Sequence, residues 1–560
     1  MMIALLWPSA AVTAAAAPPP HLIQLVIDDL GHADTSVHTH PAQPPDVPTP
    51  HLRAIADGGV RLSHYYVQPV CSPTRAALLT GRFPFRDGMQ HESTIAPGSR
   101  AHLPLTTPTA AELLGGKGYS CHAIGKWHQG YASWKYTPLQ RGFSTFTGYL
   151  QGQVDYWNKT LSIPPGRGLI SGFDFWHGEG IDKRSKAFRE AVGTYSLDLY
   201  RAALKDVLTP YAVAHAAVDT IVEDASREKL GPLYLYLAMQ TVHIPLEARL
   251  AAGDMRCAAI KDHWRGIYCS MLVEMDDAVG ELVSDLKAAG MWQNTLILTT
   301  TDNGGMTRWG VSDGDKDPAW PASVGDNYPL RGGKATLFQG GVNGIAFIGG
   351  GGIPTAVRGS TYDGLTHAVD LCATVLGRGG ASTSTIDGID LWPAITAATV
   401  VGGHQPAAGA PLAPLRTHLP VNLIHNGTDF SCVVFAGGDL KLIIGRTATP
   451  RANAINGWFR HGLYPPVEPP PSSEPSLLLF NLSSDPTERQ PLPAATHASF
   501  MHEGQALLAQ YLVGTDPQHL GYMEPQDNTP AFPRCLPALH GGAWAPFLRS
   551  EEVEDIGRGS

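Results

Sequence analysis

The chain is predicted to be an α/β protein, with a large doubly wound mixed sheet followed by a smaller C-terminal antiparallel sheet and one helix. Three observations point there. Short apolar runs alternate with longer helix-like stretches, the pattern of a sheet covered by helices. Four of the apolar runs end directly in charged or polar residues, as strands do when their carboxyl ends line one crevice. Beyond about residue 400 the composition turns to Pro and Ala and then to short strand-like runs at 432–436, 441–444 and 477–481, with a helix over 504–513. We therefore divide the chain into a leader at 1–20, a large domain at 21–400 and a small α+β domain at 401–560.

At 560 residues the chain exceeds one typical domain, and 43% hydrophobic against 16% charged residues is ample for a core. The 61 glycines and 46 prolines imply many loops without reaching the composition of a disordered chain. A net charge of −10 argues against a nucleic-acid binder, while a local cationic pocket still accommodates a small anion. The start, Met1 to Trp7 followed by Ala-rich residues to Ala17, resembles a signal peptide with an Ala-x-Ala cleavage region but lacks a basic beginning. No later run of about 18 apolar residues occurs, so no membrane span is expected. The sequons at Asn158, Asn426 and Asn481 agree with export as a glycoprotein. Of seven cysteines, setting Cys71 aside leaves six, an even number compatible with three bridges or with buried thiols; Cys257 and Cys269 are nearest in sequence.

The first strand, 22–27, runs straight into Asp28-Asp29, and adjacent acids at a buried strand's carboxyl end point to a cation site. A helix over 49–60 leads to Cys71-Ser72-Pro73-Thr74-Arg75. Pro73 suits a helix's first turn, Ala76 to Leu79 continue it, and Gly81 ends it. Cys71 then lies at a helix N-terminus that favours an anion, and Arg75, one turn on, can return to the same spot. A helix over 110–118 and a strand over 119–124 deliver Lys126 and His128, which face one side in extended geometry. The middle, 150–230, is less regular, with a helix-like run near 211–228. A strand at 233–238 leads to His243. The long helix over 264–290 has Met271, Val273, Met275 and Val279 as core and Glu274, Asp276 and Asp277 as solvated acids. The strand at 295–301 ends in Asp302-Asn303, a polar loop at 309–329 is placed near the site mouth, and a helix over 367–376 closes the large domain.

The pattern Cys71-x-Pro-x-Arg75 extended to Leu-Leu-Thr-Gly81-Arg82 closely resembles the sulfatase family. Gly125-Lys126-Trp127-His128-x-Gly130 and the segment Leu330-Arg331-Gly332-Gly333-Lys334 with Gly340-Gly341 match the same family. Gln129 stands where Leu is usual, and Phe338-Gln339 where Trp-Glu is usual. The likeness spans about 22–548 and is greatest to the arylsulfatase B branch, the N-acetylgalactosamine-4-sulfatases, through 232–238, Met275-Asp276-Asp277-Ala278-Val279-Gly280 and Pro533-Arg534-Cys535. The segment 90–106 lacks cysteines that relatives carry there, which leaves Cys535 without its usual partner.

The resemblance implies an alkaline-phosphatase-like fold and a sulfuric ester hydrolase acting on an aryl sulfate or sulfated sugar. It implies that Cys71 is oxidised to formylglycine by a formylglycine-generating enzyme. Asp28, Asp29, Asp302, Asn303 and the modified Cys71 would hold Ca²⁺, or Mg²⁺, as hard oxygen donors do. Arg75 would stabilise the attacking oxyanion, Lys126, His243 and Lys334 would hold sulfate, with one acting as general acid, and His128 would take the proton when a covalent sulfate intermediate breaks down. A secretory-pathway protein, extracellular or in a lysosome-like compartment, is expected. Two other readings remain open at this stage: a phosphate or phosphonate monoester hydrolase of the same fold, and a catalytically silent binding protein on that scaffold.

Overall fold

In chain order the strands are β1 (His21–Ile27), β2 (Val60–Tyr66), β3 (Ser120–Lys126), β4 (Thr145–Tyr149), β5 (Thr160–Ile163), β6 (Ile170–Phe173), β7 (Trp176–Glu179), β8 (Lys186–Ala187), β9 (Leu233–Met239), β10 (Thr295–Thr301), β11 (Ala346–Gly349), β12 (Ser360–His367), β13 (Leu419–Asn422), β14 (Phe430–Phe435), β15 (Leu440–Gly445) and β16 (Leu477–Asn481). The helices are α1 (Pro50–Asp57), α2 (Cys71–Thr80), α3 (Ala110–Gly115), α4 (Ser196–Val218), α5 (His263–Ala288), α6 (Gln339–Val342), α7 (Ala368–Arg378), α8 (Trp392–Thr396) and α9 (Ala494–Leu512). This computed structural model describes residues 18–37, 46–90, 95, 97–163, 170–179, 185–218, 230–250, 253–307, 324–396, 415–423, 430–445, 447, 457–458, 476–515, 534 and 536–548.

The large sheet is mixed and ten-stranded, in the order β12-β2-β11-β10-β1-β9-β3-β4-β7-β8. Its centre, β10-β1-β9-β3-β4, is parallel throughout. The four strands marked by polar ends, β10, β1, β9 and β3, are therefore immediate neighbours that finish on one edge. Their apolar runs are buried, as central strands of a helix-covered sheet must be. One polar residue interrupts β1: the Gln24 amide donates to Leu78 O (3.1 Å) and accepts from the Tyr234 hydroxyl (2.8 Å), tying β1 to α2 and β9. Those bonds let the amide sit inside the core without an unpaired group.

α2 opens at Cys71 after extended Val70 and closes on left-handed Gly81 (φ 69°), as predicted. The helix expected over 110–118 is shorter, α3, and is fixed by a Thr109–Glu112 capping box. The run expected near 211–228 belongs to a helix that begins much earlier, at Ser196, and residues 219–228 lie outside the described ones. Between 145 and 187 lie β4 to β8, short strands whose brief, polar-interrupted runs carry little periodic signal.

Two expectations for α5 are corrected. Asp276 is fully buried, accepting from His51 N (2.9 Å) and Leu52 N (2.8 Å) at the start of α1, and Glu274 is buried as well. An acid that caps another helix trades its water shell for two backbone donors, a use invisible in the periodicity of its own helix. Asp277 stays at the surface, paired with Arg256 (2.7 Å).

Cys257 and Cys269 form a disulfide, while Cys121, Cys372 and Cys432 are buried thiols, so the cysteines do not make three bridges. β13 to β16 form the separate antiparallel sheet, and α9, longer than expected, packs on β14 and β15. The leader at 1–17, Asn426, Cys535, the Pro-rich tract 465–475, the division near residue 400 and residues 309–323 of the polar loop lie outside the described residues. Among the described residues no helix is long and apolar enough to cross a membrane.

Candidate active site

Asp28 and Asp29 leave β1, Lys126 and His128 leave β3, His243 follows β9, and Asp302 and Asn303 follow β10. Cys71 and Arg75 come in from α2, and Lys334 from the loop before α6. All ten are buried. Cys71 Sγ lies 3.7 Å from Asp28 Oδ1 and 3.9 Å from Asp29 Oδ1. Arg75 donates through Nε (3.0 Å) and Nη2 (2.7 Å) to Asp302 and lies 3.3 Å from Asp28. Lys126 Nζ is 2.8 Å from Asp28, and Lys334 Nζ is 2.8 Å from Asp29. Asp302 also accepts from Asp29 N (3.1 Å), so the ends of β1 and β10 are locked together.

Local backbone explains how these groups converge. Gly125 has φ 97°, and a Cβ there would stand 1.8 Å from Ala238 O, so only glycine lets β3 turn against β9 as it delivers Lys126. Asp29 (φ 56°), His128 (φ 54°) and Ala335 (φ 70°) hold left-handed conformations that cost non-glycine residues energy. Such strain gathers where surrounding structure over-determines a functional geometry.

Three carboxylates face three cations with no exposed surface to share the charge. Burial, and then the neighbouring Asp302 charge, push Asp28 up. Burial works the same way on Asp29 and Asp302, but the Lys334 charge leads in outweighing it at Asp29, and Arg75 and then Lys126 outweigh it at Asp302. Burial, with Asp302 next, raises the Cys71 thiol above its ordinary range, so an unmodified Cys71 is a poor nucleophile.

The histidine tautomers follow from their partners. His243 Nδ1 lies 2.8 Å from Ile244 O, which only accepts, so Nδ1 carries the proton. Nε2 then accepts from Lys334 Nζ at 3.2 Å. Burial, and then the Lys334 charge, lower His243 to about 3, so its ring is neutral. His128 Nε2 is 3.2 Å from Ile95 O and therefore donates, leaving Nδ1 to accept from the Ser72 hydroxyl at 3.3 Å. Burial, then Lys126, keep this ring neutral too.

The buried donor set fits a metal cation. Asp28, Asp29, Cys71 and His243 bring ligand atoms within 4.8 Å of one another. Asn303 donates through Nδ2 to Asp29 Oδ1 (2.8 Å) and Gly304 O (2.9 Å), while its Oδ1 is buried with no hydrogen-bond partner. A buried acceptor left open beside crowded carboxylates is what a cation would satisfy.

Sequence reading missed Ser72 and Tyr156. Ser72, next to Cys71, links His128 to the N-terminal turn of α2, and its place in that turn was the available signal. The Tyr156 hydroxyl donates to Gln240 O and His243 O (3.0 Å each), holding the turn that presents His243, and nothing in the sequence marks it.

With this geometry in view, the comparisons with known proteins define the class. The sulfatase family pattern matches residues 20–381, and the chain belongs to that family. It is a sulfuric ester hydrolase. It is 28% identical to arylsulfatase J of Mus musculus, over 95% of this chain and 81% of that one. It is 32% identical to arylsulfatase A of Homo sapiens, over 68% of each. The crystal structure of Ps i-CgsB in complex with k-i-k-neocarrahexaose superposes with a TM-score of 0.64 at 24% identity, over 92% of this chain and 99% of that one, which shows the same alkaline-phosphatase-like fold.

Proposed function

We propose that this chain hydrolyses sulfate esters of sugars, and activated aryl sulfates as surrogates, through a formylglycine made from Cys71 by a formylglycine-generating enzyme. The observation that carries the proposal is the seat of Cys71: first residue of α2, touching both Asp28 and Asp29, with Lys334 and His243 on the Asp29 side. The sugar preference draws on the neocarrahexaose bound by Ps i-CgsB. The names arylsulfatase J and arylsulfatase A favour arylsulfatases as a class over the narrower arylsulfatase B branch.

Asp28, Asp29, Asp302 and Asn303, with the modified side chain at 71, are the residues that would hold Ca²⁺, or Mg²⁺; Cys71 Sγ marks where that side chain's oxygens would lie. Such an ion, when bound, lowers the energy of an oxyanion at position 71. Arg75 and the α2 N-terminus favour the same charge, and the hydrated formylglycine supplies the attacking hydroxyl. Lys126 and Lys334 donate to, and neutralise, the sulfate oxygens, and His243, accepting from Lys334 through Nε2, holds that ammonium toward them. Lys334 brings the proton for the departing alcohol, because the neutral His243 accepts from it. His128, with a neutral ring, takes a proton from the residue at 71, near which Ser72 holds it.

The Ala-rich start, the sequons, exposed Asn158 among them, and the family resemblance support export to an extracellular or lysosome-like compartment. Paired assays of sulfate and phosphate esters, with mass spectrometry of the Cys71 peptide, test the reading. Formylglycine at 71 and a preference for sulfate esters are expected. An unmodified cysteine in an active enzyme, or faster phosphate-ester hydrolysis, overturns it.

A further inference from the structure

We propose that Asn327 is a positioning residue that joins the two cation-binding loops to the loop carrying Lys334, so that the cation site and Lys334 are assembled as one unit. The proposal rests on the roles given above to Asp28, Asp29, Asp302, Asn303 and Lys334.

Asn327 is fully buried, and its amide is used at both ends. Oδ1 accepts from His32 N (3.2 Å), in the loop after β1, and from Gly305 N (3.0 Å), in the loop after β10. Nδ2 donates to Gly305 O (2.9 Å) and Gly332 O (3.3 Å), the latter two residues before Lys334. The amide cannot be reversed, since every partner of Oδ1 is an N–H and every partner of Nδ2 is a carbonyl. Three chain segments far apart in sequence thus meet on one neutral side chain.

Packing leaves no room for a substitute contact. A Cβ at Gly305 would stand 3.2 Å from Asn327 Oδ1, and one at Gly333 would stand 2.9 Å from Nδ2. Lys334 N donates to the same Gly305 O (3.1 Å) that Asn327 holds, so the lysine backbone is set from the β10 loop. Next to it, Ala335 N donates to Pro69 O (2.6 Å), just ahead of Cys71, with Ala335 itself in the left-handed region. An Asp34–Arg265 ion pair (2.6 Å) supports the arrangement from α5, since Asp34 also accepts from Gly31 N (2.9 Å) and Asp326 N (3.1 Å). The Asn327 bonds carry that arrangement on to the Lys334 segment, alongside the Lys334 N to Gly305 O bond.

The test compares Asn327→Ala and Asn327→Asp with the full-length enzyme by amide hydrogen exchange, Tb³⁺ luminescence and steady-state kinetics. Asn327→Ala should lose exchange protection around 29–34, 303–307 and 330–336 only. Its Tb³⁺ affinity should fall about tenfold or more, the cost of losing a partner behind a metal ligand. Its kcat should fall about a hundredfold, the scale of an ångström-size misplacement. Asn327→Asp keeps the acceptor for His32 N and Gly305 N but sets an oxygen against two carbonyls. It should retain Tb³⁺ affinity within about threefold yet lose kcat like Asn327→Ala, separating the two halves of the role. Unchanged protection in the three loops of Asn327→Ala overturns the proposal. So does a general loss of protection with an unfolding midpoint lowered by more than about 10 °C, which would make Asn327 a global stability residue. Loops decoupled as expected, with Tb³⁺ affinity and kcat unaltered, would leave the coupling standing and overturn the roles assigned to the loops.

Discussion

Lys334 Nζ lies 3.2 Å from His243 Nε2 and 2.8 Å from Asp29, so one ammonium bridges a neutral imidazole and a carboxylate inside a closed site. Burial opposes the charge on Lys334, but Asp29 outweighs it and holds the lysine above its ordinary range. The pair therefore enters the reaction with its transferable proton on the lysine and its lone pair on the histidine.

That asymmetry predicts a leaving-group effect. Lys334→Ala should slow hydrolysis of a sugar sulfate by about a hundredfold or more but a nitrophenyl sulfate far less, because an acidic phenol leaves without a proton. His243→Ala should show the same trend more weakly, since it orients the ammonium. Equal losses on both substrates for Lys334→Ala would place the lysine in sulfate binding alone.

Cys71→Ala should abolish turnover while the unfolding midpoint stays close to that of the parent, because a buried thiol touching two carboxylates contributes chemistry rather than packing. Retained sulfatase activity in this variant would remove Cys71 from the mechanism.

Asp302→Ala should lose the bound cation, activity and stability together. It deletes the closest partner of a fully buried Arg75, and breaking such a pair costs about 3–5 kcal/mol. Elemental analysis of the purified variant and denaturant unfolding read the two losses separately; unchanged metal content would exclude Asp302 from the cation site.

A buried ion pair behind β15 ties the small antiparallel sheet to the start of α6. Lys441 on β15 donates to Glu488 (2.7 Å) and to Gln339 (3.3 Å), and Glu488 accepts from Gln339 N (2.6 Å) at the start of α6. Glu488→Gln should destabilise by about 3–5 kcal/mol, because Lys441 is left charged and buried. The double variant Lys441→Met with Glu488→Leu should recover most of that loss, and a strictly additive double variant would show that the two do not act as a pair.

Burial pushes Cys121 and Cys432 up to about 12 and raises Cys372 as well. Thiol reagents near pH 8 should leave all three unlabelled in the native protein and label them after unfolding. Native-state labelling at any of them would contradict their burial.

The sequence by itself determined the chemistry-bearing positions: which strands end in Asp28-Asp29, Lys126, His243 and Asp302-Asn303, and that Cys71 opens a helix stopped by Gly81. These were readable because apolar strand runs, helix starts and glycine caps are local signals, written in adjacent residues. Tertiary structure alone decided what joins them. Strand order set β10, β1, β9 and β3 side by side, and Asp276 turned out to cap α1 because the fold brings that helix to it. Asn327, Ser72 and Tyr156 acquire their roles from partners up to hundreds of residues away. Hydrogen bonds of that kind follow from the packing of whole elements, and no spacing along the chain records them.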